Sequence, residues 1–486
     1  MTCINAPSGT HGNMGAMKVT ALHGGRQFEA PSEAWTRLLG LELAAPSYHA
    51  YPGPDHFIEA FDAASYRRWL KRRQLAGASG LSLYVHLPFC RTGCRHCACD
   101  KVVTRSGPRA RAYLRQLERE IAMVADELGQ GQKVTRMYWG GGTPNYFGVE
   151  ELARLAEVIG GHFRLRPGGD HAIEIDPRDA EPELAFRLAE IGFNRLAVGV
   201  ADLDPVVLDA IRRPQSADRI AQFVAEARDA GFRSIGVELT SGLPGQTAAG
   251  FARTLERIVA MGPSRITVHD YRHRPERHPN QRHIRAEDLP DLRELTRLHM
   301  GAHELLAAAD YEFIGIGHFA RPDDPLARAL RTGHLDWDGR GYTAQPESDL
   351  IGFGSSAISR VGAAYSQNLR SPDEYAEAVR HGRLPVARGI ELDPDDLVRR
   401  AVIHGLCAAG RVARESIEIA HLIDFDTYFA AEIRALEPWV EASMVEVDGE
   451  WITVTPPGRR YLRAISACFD RYRRESARRA SVDPIL

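Results

Sequence analysis

The alternation of short β-like runs with longer helical stretches between Leu81 and about Asp270 restricts the fold more than any other feature of this chain. Strand and helix signals that take turns in this way imply parallel strands joined by crossover helices, an α/β architecture. Strands are predicted at 81–86, 136–139, 172–175, 195–200, 234–239 and 265–269, with helices such as 110–128 and 151–159 between them. Upstream, residues 1 to about 30 lack periodicity and are read as a flexible tail, taken to 45 in the domain division, while 57–73 has the spacing of an amphipathic helix. Residues 46–80 form a second segment, 81–370 the strand-rich unit and its extension, and 371–486 a C-terminal unit.

Directly behind the first predicted strand stands YVHLPFCRTGCRHCACDK, residues 84–101, which holds four of the seven cysteines. A buried cysteine acts as a small hydrophobe and gains nothing from clustering, so packing does not explain this density. Cys90, Cys94 and Cys97 form CxxxCxxC, whose thiolates suit either zinc or an iron-sulfur cluster. A zinc site needs a fourth ligand, for which Cys99 or His96 would serve, because the next cysteine is Cys407. Disulfides fit poorly, since dense thiols without a secretory signal indicate a reducing compartment, and the cytoplasm is expected.

CxxxCxxC with a ring residue before its last cysteine resembles the cluster motif of the radical S-adenosylmethionine (SAM) enzymes, with His96 standing where Phe or Tyr is usual. The longer string, with its CxC and the DKVVTR that follows, resembles more narrowly the oxygen-independent coproporphyrinogen III oxidases, and the likeness extends from about residue 45 to 480. The resemblance implies a partial (β/α)6 barrel with its chemistry at the strand C-termini. It also implies a 4Fe-4S cluster on Cys90, Cys94 and Cys97, one or two SAM molecules, and Tyr84 and Cys99 in catalytic roles.

Further motifs extend the resemblance. Gly140-Gly141-Gly142-Thr143-Pro144-Asn145 follows the second strand, where missing side chains let backbone approach a ligand; it resembles the segment that binds the SAM amino group, implicating Gly141, Gly142 and Thr143. Glu174 puts a carboxylate inside an apolar run and calls for a cationic partner, which the resemblance identifies as the SAM ammonium. Arg213 matches the arginine that pairs with the SAM carboxylate, a task suited to its two-pronged guanidinium. Tyr84 and His96 are implied SAM contacts too, and Gln345 matches a residue near a second SAM.

Other positions depart from the pattern. Ala201 replaces a ribose-contacting glutamine, Glu238 an aspartate, Ser241 a tyrosine and Gly317 an aspartate, and the longer Glu238 is expected to reach across the space at Ala201. The segment 45–52 resembles an element covering the active site, with His49 and Ala50 where Thr and Ser are usual. The loop 269–278, which includes Arg272, Arg274 and Arg277, is unusually basic, reading either as a solvated charge cluster or as a binder of a many-carboxylate substrate. Arg272 is counted among the cofactor contacts.

Beyond the barrel, 393–408 and 425–436 have helical spacing and 445–455 reads as a β-hairpin, together a mostly helical, winged-helix-like cap. Cys407 and Cys468 are expected to be buried without a metal. A length of 486 residues with 44% hydrophobic and 26% charged content is ordinary for a soluble globular protein, no apolar run reaches membrane-span length, and a net charge of −3 argues against a nucleic-acid binder. The leading expectation is anaerobic oxidative decarboxylation of coproporphyrinogen III propionates to vinyl groups, with a tetrapyrrole substrate, a flavodoxin or ferredoxin-type electron donor, and a monomeric state. The alternatives are a radical SAM methyltransferase or cyclopropanase built on the same core, and a haem-binding chaperone.

Overall fold

A computed structural model describes residues 32–76, 80–338, 341–345 and 348–474, so the tail expected at 1 to about 30 lies outside the described residues. The expectation of a tail as far as 45 fails over its last part: Glu33–Ala44 is a helix, α1, capped by the Ser32 hydroxyl accepting from Trp35 N–H. The second helix, α2, spans Ala63–Ala76 rather than starting at 57. Asp62 sets that start by accepting from Ser65 N–H at 2.9 Å, while Phe57 and Phe61 turn into apolar clusters instead of continuing a helix face.

The expected α/β barrel forms as six parallel strands side by side: β1 (Leu81–Leu87), β2 (Gln132–Gly141), β3 (Phe163–Ile175), β4 (Arg195–Ala201), β5 (Ser234–Ser241) and β6 (Arg265–Asp270). Helices α3 (Gly107–Leu128), α4 (Val149–His162), α5 (Leu184–Ile191), α6 (Ala217–Asp229) and α7 (Ala248–Met261) fill the crossovers, and α8 (Leu292–Ala308) follows β6. All seven residues of β1 are buried, as expected of a parallel strand covered on both faces. Helix α3 packs Leu114, Leu117, Ile121, Val124 and Leu128, spaced at three and four residues, onto this sheet and stops at Gly129, whose φ of 80° ends the helical path. Asp349–Phe353 adds to β1 in parallel, and five further strands extend the two ends to give twelve in all among the described residues.

The C-terminal unit pairs Pro394–Ala409 and shorter helices with a three-stranded sheet, in which Arg411–Ala413, Trp451–Val454 and Val445–Val447 pair in that order. Asp448 closes the hairpin by accepting from the Glu450 and Trp451 N–H groups. The helix expected at 425–436 is broken at Phe429, whose fully buried ring separates Phe425–Tyr428 from Ala430–Glu441. A second apolar core joins this unit to the barrel extension through Val402, Leu406, Ile314, Trp337 and Tyr342. Among the described residues no helix is long and apolar enough to cross a membrane.

Candidate active site

The cysteine loop leaves the C-terminal end of β1 and is held as a closed clasp. Phe89–Cys90 pairs in parallel with Val102–Val103, and Thr104 N–H donates to the Cys90 carbonyl at 3.0 Å. From the far side, the turn after β6 contributes Asn280, whose amide nitrogen lies 3.2, 2.8 and 2.8 Å from the Cys94, Arg95 and Cys97 carbonyl oxygens, and Gln281, which donates to the His96 carbonyl at 3.1 Å. Four consecutive loop carbonyls would otherwise lack that fastening.

Cations back this loop. Arg213 and Arg178 each point a guanidinium N–H at Cys94 Sγ, at 3.3 and 3.5 Å, and Asp176 holds both arginines. Burial pushes the Asp176 carboxyl up, but the two guanidiniums outweigh it and leave it below the usual carboxylate range. Cys90 is pushed up to about 12, by burial first and then by the nearby Cys97 and Cys94 charges. Cys97 is lowered, chiefly by donation from the Cys99 thiol and then by Lys101, while Cys99 is raised in exchange.

The residues fit a cluster with SAM beside it. Three thiols share one loop, Cys90 feels the charge of the other two, and the Arg213 and Arg178 guanidiniums stand against Cys94. Among the described residues no three His, Cys, Asp or Glu side chains converge as on a single ion, whereas thiolates of a cluster each bind their own iron and need not meet at a point. Two buried polar atoms beside the loop, Arg213 Nε and His96 Nδ1, have no hydrogen-bond partner, which a ligand would supply.

The ends of β2 and β3 form the opposite wall. Glu174 accepts from the Tyr138 hydroxyl at 2.9 Å and from Gly141 N–H at 3.2 Å. A Cβ on Gly140 would stand 2.5 Å from the Glu174 carboxylate and displace it, and Gly141 takes φ 118°, which favours glycine. Gly142 and Thr143 bond through their N–H groups to the Leu87 and Phe89 carbonyls, and the Thr143 hydroxyl faces Asn145 at 2.9 Å. These two therefore brace the cysteine loop. His86 Nε2 lies 3.0 Å from the Asp100 carbonyl, which can only accept, so Nδ1 is left to accept from the Tyr84 hydroxyl at 2.8 Å.

A cavity of about 710 Å³ joins these walls, and of the expected site residues Tyr84, Cys99, Gly141, Glu174 and Arg272 line it. Residues 44–56 and the C-terminal unit's Arg400, His404, Asp470 and Tyr472 complete it. Arg213 and Cys94 meet without lining it, Glu238 faces His269 at 4.0 Å, and Ala201, at φ 67°, belongs to a small apolar cluster with Ile211 and Leu243. Burial pushes the Glu238 carboxyl up. Gln345 does not line this cavity among the described residues. Gly317 explains its own departure, since at φ 74° a Cβ there would overlap the Val268 carbonyl oxygen. His318 packs on Trp337, Tyr342 and His269, with its imidazole pushed down to about 3 by burial first.

Sequence reasoning gave no role to His86, Asp176, Arg178, Asn280 or Gln281. His86, Asp176 and Arg178 sit inside the motifs themselves. Asn280 and Gln281 carry no local signal, because their partners lie more than 180 residues away in sequence.

Comparison with known proteins agrees with this geometry. The radical SAM superfamily model matches residues 84–258. An oxygen-independent coproporphyrinogen III oxidase of Pseudomonas aeruginosa is 40% identical over 433 residues, covering 89% of this chain and 94% of that protein. The Escherichia coli protein of the same name is 38% identical over 435 residues, covering 90% and 94%. A solved structure of coproporphyrinogen III oxidase from Escherichia coli, described as a radical SAM enzyme, superposes with a TM-score of 0.83 over 88% of this chain and 97% of that one.

Proposed function

The chain belongs to the oxygen-independent coproporphyrinogen III oxidase family of radical SAM enzymes, and on that premise we propose that it converts two propionate side chains of coproporphyrinogen III to vinyl groups in haem biosynthesis. Each conversion removes one hydrogen atom from the propionate β-carbon, releases the carboxylate as CO2 and gives up one electron. When bound, the cluster and SAM supply the reducing electron and the hydrogen-abstracting carbon radical.

Cys90, Cys94 and Cys97 would hold the cluster, and Cys99, at the cavity wall, stays outside the ligand set. Glu174 and the Gly141 backbone present an acceptor and a close-approach surface suited to the SAM ammonium, with Gly142 and Thr143 fixing that backbone. Arg213 offers its Nε to the SAM carboxylate while Asp176 holds its other nitrogens. His96 and Tyr84 flank the same space, and Glu238 takes the ribose side, where Ala201 offers no polar atom. Arg272, counted as a cofactor contact, lines the cavity, and Gln345 would serve a second SAM if two bind. The observation that carries the reading is the single cavity in which Cys99, Gly141 and Glu174 share walls with Arg272, Arg274 and Arg277, so that radical chemistry and carboxylate recognition meet in one space.

The protein would act as a cytoplasmic monomer served by a flavodoxin or ferredoxin-type donor; its free thiols suit a reducing compartment. Anaerobic incubation of reconstituted protein with SAM, reductant and coproporphyrinogen III tests the reading. Two successive losses of CO2 plus one hydrogen molecule's mass, with 5′-deoxyadenosine formed, are expected. Ala201 and Glu238 favour one second reading, methylation of another substrate, which would instead yield S-adenosylhomocysteine and leave the tetrapyrrole unchanged.

A further inference from the structure

The loop after β6 carries three arginines into the cavity, and two of them are already committed. Arg272 donates to the Ala45 carbonyl at 2.6 Å, and Arg277 pairs with Asp55 at 3.1 Å; both tie down the 44–56 segment that roofs the space. Arg274 differs. Its backbone is pinned, because its N–H donates to Gln281 Oε1 at 2.6 Å and its carbonyl accepts from Arg277 and His278. Its guanidinium has no hydrogen-bond or ion-pair partner among the described residues.

Arg274 also adds its charge beside a second guanidinium, that of Arg272. Arg272 is held below the usual arginine range, by burial first and then by Arg463, with Arg274 adding to the effect. Arg463 is itself neutralised by Glu42 and Asp270, so the positive charge left over belongs to Arg272 and Arg274. An anion entering here relieves that repulsion as well as gaining hydrogen bonds, and a planar guanidinium on a fixed backbone suits a carboxylate in particular.

We propose that Arg274 is a specificity-determining residue that binds one carboxylate of the substrate, a propionate under the function proposed above, on which this inference rests. Arg272 and Arg277 hold the roof, and Arg274 selects for carboxylate number among otherwise similar macrocycles.

Anaerobic fluorescence titration of the reconstituted full-length protein with coproporphyrin III, the non-reacting tetracarboxylate, and with its tetra-amide tests this. Wild type should bind the tetracarboxylate more tightly than the tetra-amide. Arg274→Gln should weaken tetracarboxylate binding about tenfold, the scale of one partly desolvated ion pair, and leave tetra-amide binding unchanged. Arg274→Lys should recover part of the loss, and KM for coproporphyrinogen III should rise with kcat less affected. Arg285→Gln, which removes an exposed arginine farther along the same loop and outside the cavity, should change nothing. Unaltered tetracarboxylate binding in Arg274→Gln, an equal loss on the tetra-amide, or an equal loss in Arg285→Gln would each overturn the assignment while leaving the proposed function standing. Failure of wild type to bind the tetracarboxylate would remove that function and this inference with it.

Discussion

Glu174 marks how far a single residue can be read from sequence. A carboxylate within an apolar strand announces that it needs a partner. Its partners within the chain include the Tyr138 hydroxyl and Gly141 N–H, neither of them a cation, and this follows only from the register of β2 beside β3. Arg213 is the converse case: its match to a carboxylate-binding position was legible, but not that Asp176 already occupies two of its nitrogens. The cysteine motif could be picked out because it is local, and substitution tests the ligand set proposed for it. Cys90→Ala, Cys94→Ala and Cys97→Ala should each abolish the visible absorbance and iron content of reconstituted protein. Cys99→Ala, which removes a thiol at the cavity wall, should retain both. Retained cluster in any of the first three would contradict the ligand assignment.

At the level of elements, strand and helix periodicity placed all six barrel strands, since each buries an apolar run. Periodicity failed where a polar side chain or a special backbone decided the outcome: Asp62 delays α2, and Glu33–Ala44 is helical on the strength of its tertiary packing and the Ser32 cap. The turn Pro279–His283 was invisible for the same reason, although it clasps the cysteine loop. Asn280→Ala should leave the denaturation midpoint nearly unchanged, yet speed iron release to a chelator several-fold, because three loop carbonyls lose their shared donor. Equal release rates would refute the clasp. Helix α3 carries a second testable device, Glu120, which accepts from the Tyr375 hydroxyl, Gly354 N–H and the Asn368 amide. Burial pushes its carboxyl up from the usual 4.5 to about 7. The folded chain thus holds a proton that the unfolded chain has already released, and stability should fall by up to roughly 3 kcal/mol as pH rises across that interval. Denaturation of wild type and Glu120→Gln at about pH 5 and about pH 7.5 checks this: the variant should lose less stability between the two. A difference no smaller than that of wild type would show that Glu120 is ionised throughout.

The whole molecule is closed by charges drawn from three distant parts of the chain. Arg463, in the C-terminal unit, pairs with Glu42 of α1 at 2.6 Å and with Asp270 at the end of β6 at 2.5 Å, and His299 of α8 stands 3.2 Å from Asp270. Glu42 and Arg463 are almost fully buried, so removing one partner would strand the others and cost several kcal/mol. Sequence gave no hint of this latch, because its members are separated by up to 421 residues and each alone reads as a surface charge. The class of chemistry was legible because it rests on one loop and one strand end. The shape of the substrate space was not, because it is enclosed only when residues 44–56, the barrel and the C-terminal unit meet. Coproporphyrinogen III deuterated at the propionate β-carbons tests the union of radical chemistry and substrate in that space most directly. Incubated anaerobically with SAM and reductant, the protein is predicted to give deuterated 5′-deoxyadenosine together with vinyl product. Unlabelled 5′-deoxyadenosine with intact coproporphyrinogen would mean that SAM is cleaved without this substrate in reach, and would contradict the account.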